Sequence, residues 1–214
     1  MRFRSALAAC AALAIAAAAS AQQPSASPTP APQGASQFVT FKAAIVALTG
    51  NPMVRQEFES GLLAKAIAHR YDAITSYDLV PKVTDVRDRN FIKTLTAKGV
   101  QAVLMVRPAA VGPKSSLDAV KNEVTPVVLA DMRAFAREVS PSSGSNDLIA
   151  VVHLAIYMID TGKPELVSSG AVWLDEPVKD RAEGIARLQD LIVANVDAAR
   201  PAIRKHYGLP PLTQ

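Results

Sequence analysis

The run Val100–Arg107, VQAVLMVR, is apolar at every position except Gln101 and Arg107. A strand with one wet face alternates apolar and polar residues. An unbroken apolar run belongs instead to a strand covered on both faces, which requires helices above and below the sheet. The chain enters this run directly from a helix: in DRNFIKTLTAK, Phe91, Ile92 and Leu95 mark an inward face, and Gly99 stands just past the C-terminus. A helix feeding a doubly buried strand is the unit of an α/β fold.

The neighbouring segments supply the rest. FVTFKAAIVALT (38–49), β-branched and aromatic, reads as the first strand. Gly50 breaks it, and Asn51-Pro52 starts a helix with Asn as N-cap and Pro at the first helical position. Val54, Phe58, Leu62 and Ala66 form that helix's inward stripe, with Leu63 and Ile67 beside it. DAITSYDLV (72–80) is the second strand, ended by Pro81. Beyond Pro108, one helix is expected from Thr125-Pro126, because Val128, Met132, Phe135 and Val139 recur at helical spacing in TPVVLADMRAFAREV. SPSSGSN (140–146) is a loop. LIAVVHLAIYMID and ELVSSGAVWL form a hairpin turning at Asp160-Thr161-Gly162-Lys163. Residues 179–200 form a long helix with Ile185, Leu188, Ile192 and Val196 inward; Pro201 kinks or ends it, and 208–214 are a tail.

Right-handed crossovers put strands two and three on opposite sides of strand one, and the short hairpin extends the sheet antiparallel from strand three. The expected fold is a three-layer α/β/α domain over 38–207. Its mixed five-stranded sheet has order 2-1-3-4-5, with strand four antiparallel, plus an inserted helix.

Before residue 38 the chain does not encode a core. Arg2 and Arg4 precede an almost unbroken Ala, Leu and Ile stretch from Ala6 to Ala19, then the small-residue pattern Ala19-Ser20-Ala21. This is the pattern of a secretory signal peptide, residues 1–21, cleaved after Ala21. Leu7-Ala8-Ala9-Cys10 has the form of a lipobox. A lipid anchor at Cys10 would leave only Ser5–Ala9 in front of it, shorter than the roughly 7–15 apolar residues that export uses. The expectation is a periplasmic mature chain without a lipid anchor. Residues 22–37, QQPSASPTPAPQGASQ, carry four prolines and no charge and read as a partly extended tether. Loss of the leader removes two arginines and lowers the net charge from +4 to +2. The remaining Lys and Arg are scattered, so the pI of 9.3 does not imply nucleic acid as a partner. The only Cys leaves with the leader, so the mature chain has neither disulfide nor thiolate metal site and depends on its core.

Three stretches, IVALTGNPMVRQEFESGLLAKAIAHRYDAITSYDLVP, LTAKGVQAVLMVRP and IYMIDTGKPELVSSGAVWL, resemble a group of exported bacterial proteins. The group includes the amino-terminal domain of the translocation protein TolB, lipoprotein activators of penicillin-binding proteins, and curli-secretion lipoproteins. The resemblance spans 45–108 and 148–200 in element order and short motifs. Its most specific piece is the Asp-Thr-Gly-Lys hairpin running into SSGAVWL, which is similar to the group's YDxxTGKLVWSG hairpin. It implies an envelope adaptor, assembly or regulatory role without catalysis, and offers no catalytic residues to transfer. The chain departs from the group at 115–139, which reads helical, and lacks the anchor Cys of the lipoprotein members.

Candidate chemistry is sparse. His153 lies mid-strand on a face shared with Ile149, Val151, Ala155 and Tyr157. It could act as a general base or a lone ligand, but a metal site needs three or four converging ligands, and no second His or acid pair has suitable spacing. A buried, hydrogen-bonded His is the plainer reading. His69 and His206 fall at helix C-termini, where a cation complements the dipole. Asp78, Asp85, Asp88, Asp175, Glu176 and Asp180 gather near the ends of strands two and five and read chiefly as caps and turn residues, not acid–base pairs. No GxSxG elbow, glycine-rich phosphate loop or cofactor motif occurs. Trp173 reads as core or edge packing.

Two surfaces remain. The inserted helix either caps the core or offers Val128, Met132 and Phe135 to an envelope protein or a second copy. The crevice at the reversal of strand order is edged by Thr49, Gly50, Asn51 and Arg107. There, first-turn N–H groups and a guanidinium would take a carboxylate or phosphate, unless Asn51 merely caps its helix and Arg107 pairs with an acid. These features support a non-enzymatic envelope binding or assembly module that recognises a protein or envelope component. The alternative is a small periplasmic hydrolase using His153 with a nearby acid.

Overall fold

The computed structural model describes residues 41–110, 116–137 and 149–210. The expected signal peptide and tether, residues 38–40 of the first strand, Val139, the 140–146 loop and the end of the tail lie outside the described residues. Five strands form one sheet in the order β2-β1-β3-β4-β5: β1 Lys42–Ala47, β2 Asp72–Thr75, β3 Ala102–Ala110, β4 Ile149–Met158 and β5 Glu165–Trp173. Both β2 and β3 run parallel to β1, while β4 and β5 continue the sheet antiparallel. This is the mixed α/β sheet that the element order implies.

Helices α1 Pro52–Ala68, α2 Arg89–Ala97, α3 Leu117–Lys121, α4 Pro126–Ala130, α5 Met132–Arg137, α6 Arg181–Ala198 and α7 Arg200–His206 cover it. Alternate residues of β3 enter opposite cores. Val103 and Met105 pack with Phe91, Leu95, Met132 and Phe135 of α2 and α5. Val106 packs with Phe58, Leu62, Leu188 and Ile192 of α1 and α6. Local chemistry sets the helix starts as read from the sequence. Asn51 accepts from Met53 N and Val54 N, and Asp88 accepts from Asn90 N. Asp180 accepts from Glu183 N at 2.8 Å while the Glu183 carboxylate takes Lys179 N at 2.9 Å. Gly99 (φ +74) and Gly162 (φ +77) hold the left-handed positions that end α2 and turn the hairpin.

Four elements differ from expectation, each for a local reason. The second strand stops at Thr75, not Val80. Ser76 N still donates to Ile45 O of β1, but it is shared with the Glu59 carboxylate, which also takes Tyr77 N. The chain then turns, with Leu79 N and Val80 N donating back to Ser76 O. The third strand runs on through Pro108 to Ala110. Leu48 N donates to Val106 O, so Val106 and Pro108 turn their backbone toward the side that β1 has left, and the missing N–H costs no ladder bond. The inserted helix is two short helices, α4 and α5, and a further one, α3, precedes it. Ser116 caps α3, which the sequence reading missed, and Asp131 adopts an extended conformation and caps Arg133 N and Ala134 N, splitting α4 from α5. The last helix ends at Ala198 and restarts as α7 with Pro201 in its first turn. Within α1, Leu63 is half-buried and Ile67 is exposed.

Candidate functional site

Two arginines lie inside the fold. Arg55 and Glu59, one turn apart on α1, are 2% and 0% exposed. Glu59 Oε1 accepts from Ala47 N (3.0 Å), Arg55 Nε (2.9 Å) and the Ser76 hydroxyl (2.9 Å). Its Oε2 accepts from Ser76 N (2.7 Å) and Tyr77 N (2.9 Å). Arg55 completes its own set with Pro81 O at 3.0 Å and the Ser76 hydroxyl at 2.7 Å. The carboxylate thus sits at the ends of β1 and β2 and takes backbone donors from both. Such a network fixes structure and offers nothing to a ligand.

Arg107 is the other. Following Val106, it emerges on the α2–α5 side, directly opposite His153 on β4, and is 4% exposed. Its Nη1 donates to Glu123 Oε2 at 3.0 Å and lies 3.4 Å from His153 Nδ1. His153 Nε2 lies 3.2 Å from the Lys121 carbonyl oxygen at the end of α3. A guanidinium only donates and a carbonyl only accepts, so Nε2 carries the hydrogen, Nδ1 presents its lone pair, and the ring is neutral. Burial, and then the Arg107 charge, hold the His153 pKa below its ordinary value. Glu123 has a side chain 50% exposed, and the Arg107 hydrogen bond holds its carboxyl below the usual range. Arg107 Nε is buried and finds no hydrogen-bond partner among the described residues. Lys121 closes the surface above, with its Nζ 4.1 Å from the Trp173 ring centroid and 3.2 Å from Asp118.

The sequence-predicted crevice does not form as one site. Asn51 caps α1 on the face that Val106 serves, whereas Arg107 turns to the opposite face. Thr49 is buried and its hydroxyl accepts from Asn51 N at 3.3 Å, while Gly50 is exposed. The simpler alternative, a helix cap and an Arg–acid pair, describes both halves. The proposed partner surface is corrected too: Met132 and Phe135 are buried in the core under α2, and Val128 is half-buried against it. The Tyr157 hydroxyl donates to Leu129 O at 2.7 Å and ties α4 down over them. His153 hydrogen-bonds to Arg107 and a carbonyl, not to an acid.

Elsewhere, Asp78 accepts from the Thr75 hydroxyl, and Glu176 meets Arg187 at 3.4 Å. Asp88 and Asp180 are caps. His69 pairs with Asp197 at 3.2 Å, beside Arg200 and Tyr71. There the Tyr71 hydroxyl is pushed up to about 12, first by burial and then by its bond to Asp197. Among the described residues no group of three His, Cys, Asp or Glu could hold a metal ion, and no helix is long and apolar enough to cross a membrane.

No family model matches the sequence, and no curated protein matches it. Among solved structures, the chain is similar to a hypothetical protein from Chlamydia trachomatis, with 10% identity and a TM-score of 0.41 over 75% of this chain and 97% of that one. It is also similar to a lipoprotein from Neisseria meningitidis, with 13% identity and a TM-score of 0.36 over 75% of this chain and 98% of that one. Likenesses at this level fix neither a family nor an activity.

Proposed function

We propose that this chain is an exported, non-catalytic binding module of the bacterial envelope, of the TolB amino-terminal-like kind. In this reading it is released into the periplasm by cleavage after Ala21 and carried on the 22–37 tether. Its recognition element is Arg107, which takes a carboxylate or phosphate of a protein or envelope component. The observation that carries the reading is the buried guanidinium whose Nε has no partner among the described residues and whose one carboxylate among them, Glu123, is half in solvent. A buried charge left short of partners is costly, and a half-exposed ion pair contributes little. An incoming acid can displace Glu123 from Nη1 and pair with the guanidinium through charge-assisted hydrogen bonds. The leader and tether support export, and the occupied ring of His153 supports binding over catalysis.

Titration of the exported protein with hexaglutamate and with anionic envelope fragments tests the site. Wild type binds and Arg107→Met does not; equal binding by both, or none by either, rejects the reading. Mass spectrometry of the exported product tests the location. A chain beginning at Gln22 is expected, and a diacylated peptide beginning at Cys10 would overturn the unanchored state.

A further inference from the structure

We infer that capture of an acidic group at Arg107 is coupled to uptake of one proton by His153, so that acid loads the site. The inference rests on Arg107 being the recognition element and adds how that element is regulated. His153 is held between a group that only donates, Arg107 Nη1, and one that only accepts, the Lys121 carbonyl. A proton on Nδ1 would set N–H against the guanidinium and place two cations side by side where neither residue is more than 4% exposed. The charged and titratable groups around the ring are few. Arg107 faces it from β3, and Lys121 and Glu123 face it from α3 and the turn that follows, with Asp118 engaged by Lys121. On its own strand Tyr157 shares the face but donates to Leu129 O, and its β5 partner Ala171 carries no charge. Among the described residues Glu123 is therefore the one carboxylate bonded to the pair, and it is already committed to Arg107.

A bound anion changes this balance. It takes Arg107 from Glu123, which stays on the neighbouring turn as a second negative charge, and it brings an acceptor that a protonated Nδ1 can meet, so the loaded site holds a proton that the empty site refuses. By linkage, the anion then binds more tightly as pH falls through the histidine range, by up to about tenfold per pH unit for one proton.

The test is calorimetric titration of the exported protein with a sulfotyrosine peptide, whose own charge is constant, between pH 5.5 and 7.5 in buffers of differing ionisation enthalpy. Wild type should take up close to one proton and bind more tightly toward acid. His153→Gln, whose amide can still accept from Arg107 and donate to the carbonyl, should bind with a flat pH profile. Glu123→Gln should bind more tightly at every pH and keep the slope, which separates His153 from titration of Glu123. A flat wild-type profile with binding still lost in Arg107→Met overturns proton coupling and leaves acid capture standing; binding that ignores Arg107→Met overturns the reading beneath it. The His153 ring reports independently by ¹⁵N NMR in wild type: a second ring N–H should appear on adding peptide, and an unchanged ring overturns the inference.

Discussion

Arg55 and Arg107 are both nearly inaccessible, yet the sheet surrounds them differently. Arg55 lies beside a carboxylate that accepts five hydrogen bonds, three of them from backbone, at the truncated end of β2. Arg107 lies on the opposite face between a neutral imidazole and a carboxylate half in water, with one nitrogen that has no partner among the described residues. Depth of burial does not distinguish these two cations; completeness of hydrogen bonding does. A saturated buried charge locks geometry, whereas an unsaturated one keeps capacity for a partner.

The largest expected effect is on the saturated side. Glu59→Ala leaves the buried Arg55 without its carboxylate and takes the Glu59 acceptor from the Ala47 and Tyr77 N–H groups, and should cost about 3–5 kcal/mol in denaturant unfolding. A loss below about 1 kcal/mol would remove the distinction between the two sites. Arg55→Met sharpens it: Glu59 keeps its four other donors, so the cost should be smaller, about 2 kcal/mol.

Acid reaches the other side. His153 has a native pKa below its ordinary value, so the unfolded chain binds the proton first. Its contribution is therefore complete above the ordinary histidine value and shrinks as pH falls below it, by no more than about 1.4 kcal/mol per pH unit. His153→Gln should remove that part of the acid dependence of thermal unfolding, and an identical profile in both proteins would contradict it. The smallest effect is expected from Arg107→Met at neutral pH, within about 1 kcal/mol, because the lost partner is a screened carboxylate and the remaining histidine is neutral.

The backbone plan was legible because its cues are local. The doubly apolar β3, the Asn51-Pro52 start, Gly99 and the Gly162 turn each announce one element, and the crossover rule then orders the sheet. What escaped depends on neighbours distant in sequence. Arg55 and Glu59 are an i,i+4 pair beside the apolar stripe of α1, a spacing shared by many exposed helix pairs, and nothing in it singles them out. Nothing within α1 shows that the chain leaving β2 meets them through Ser76 and Tyr77. Arg107 was legible as a cation at a strand end, but not its face, which the side-chain alternation along β3 sets. Glu123 and Lys121 belong to a segment whose Ser116 cap was present and overlooked, and Asp131, read as interior to one helix, is the cap that divides two.

The contrast between the two arginines is measured most directly by following both Nε–H signals in ¹⁵N-labelled protein by NMR during titration with hexaglutamate. Arg55 Nε–H, bonded to Glu59 at 2.9 Å, should be protected from exchange throughout and should not move. Arg107 Nε–H should exchange faster in the free protein, then shift and become protected as peptide is added. An Arg107 signal that stays unmoved at high peptide concentration, or that is as protected as Arg55 before any peptide is present, would contradict the account.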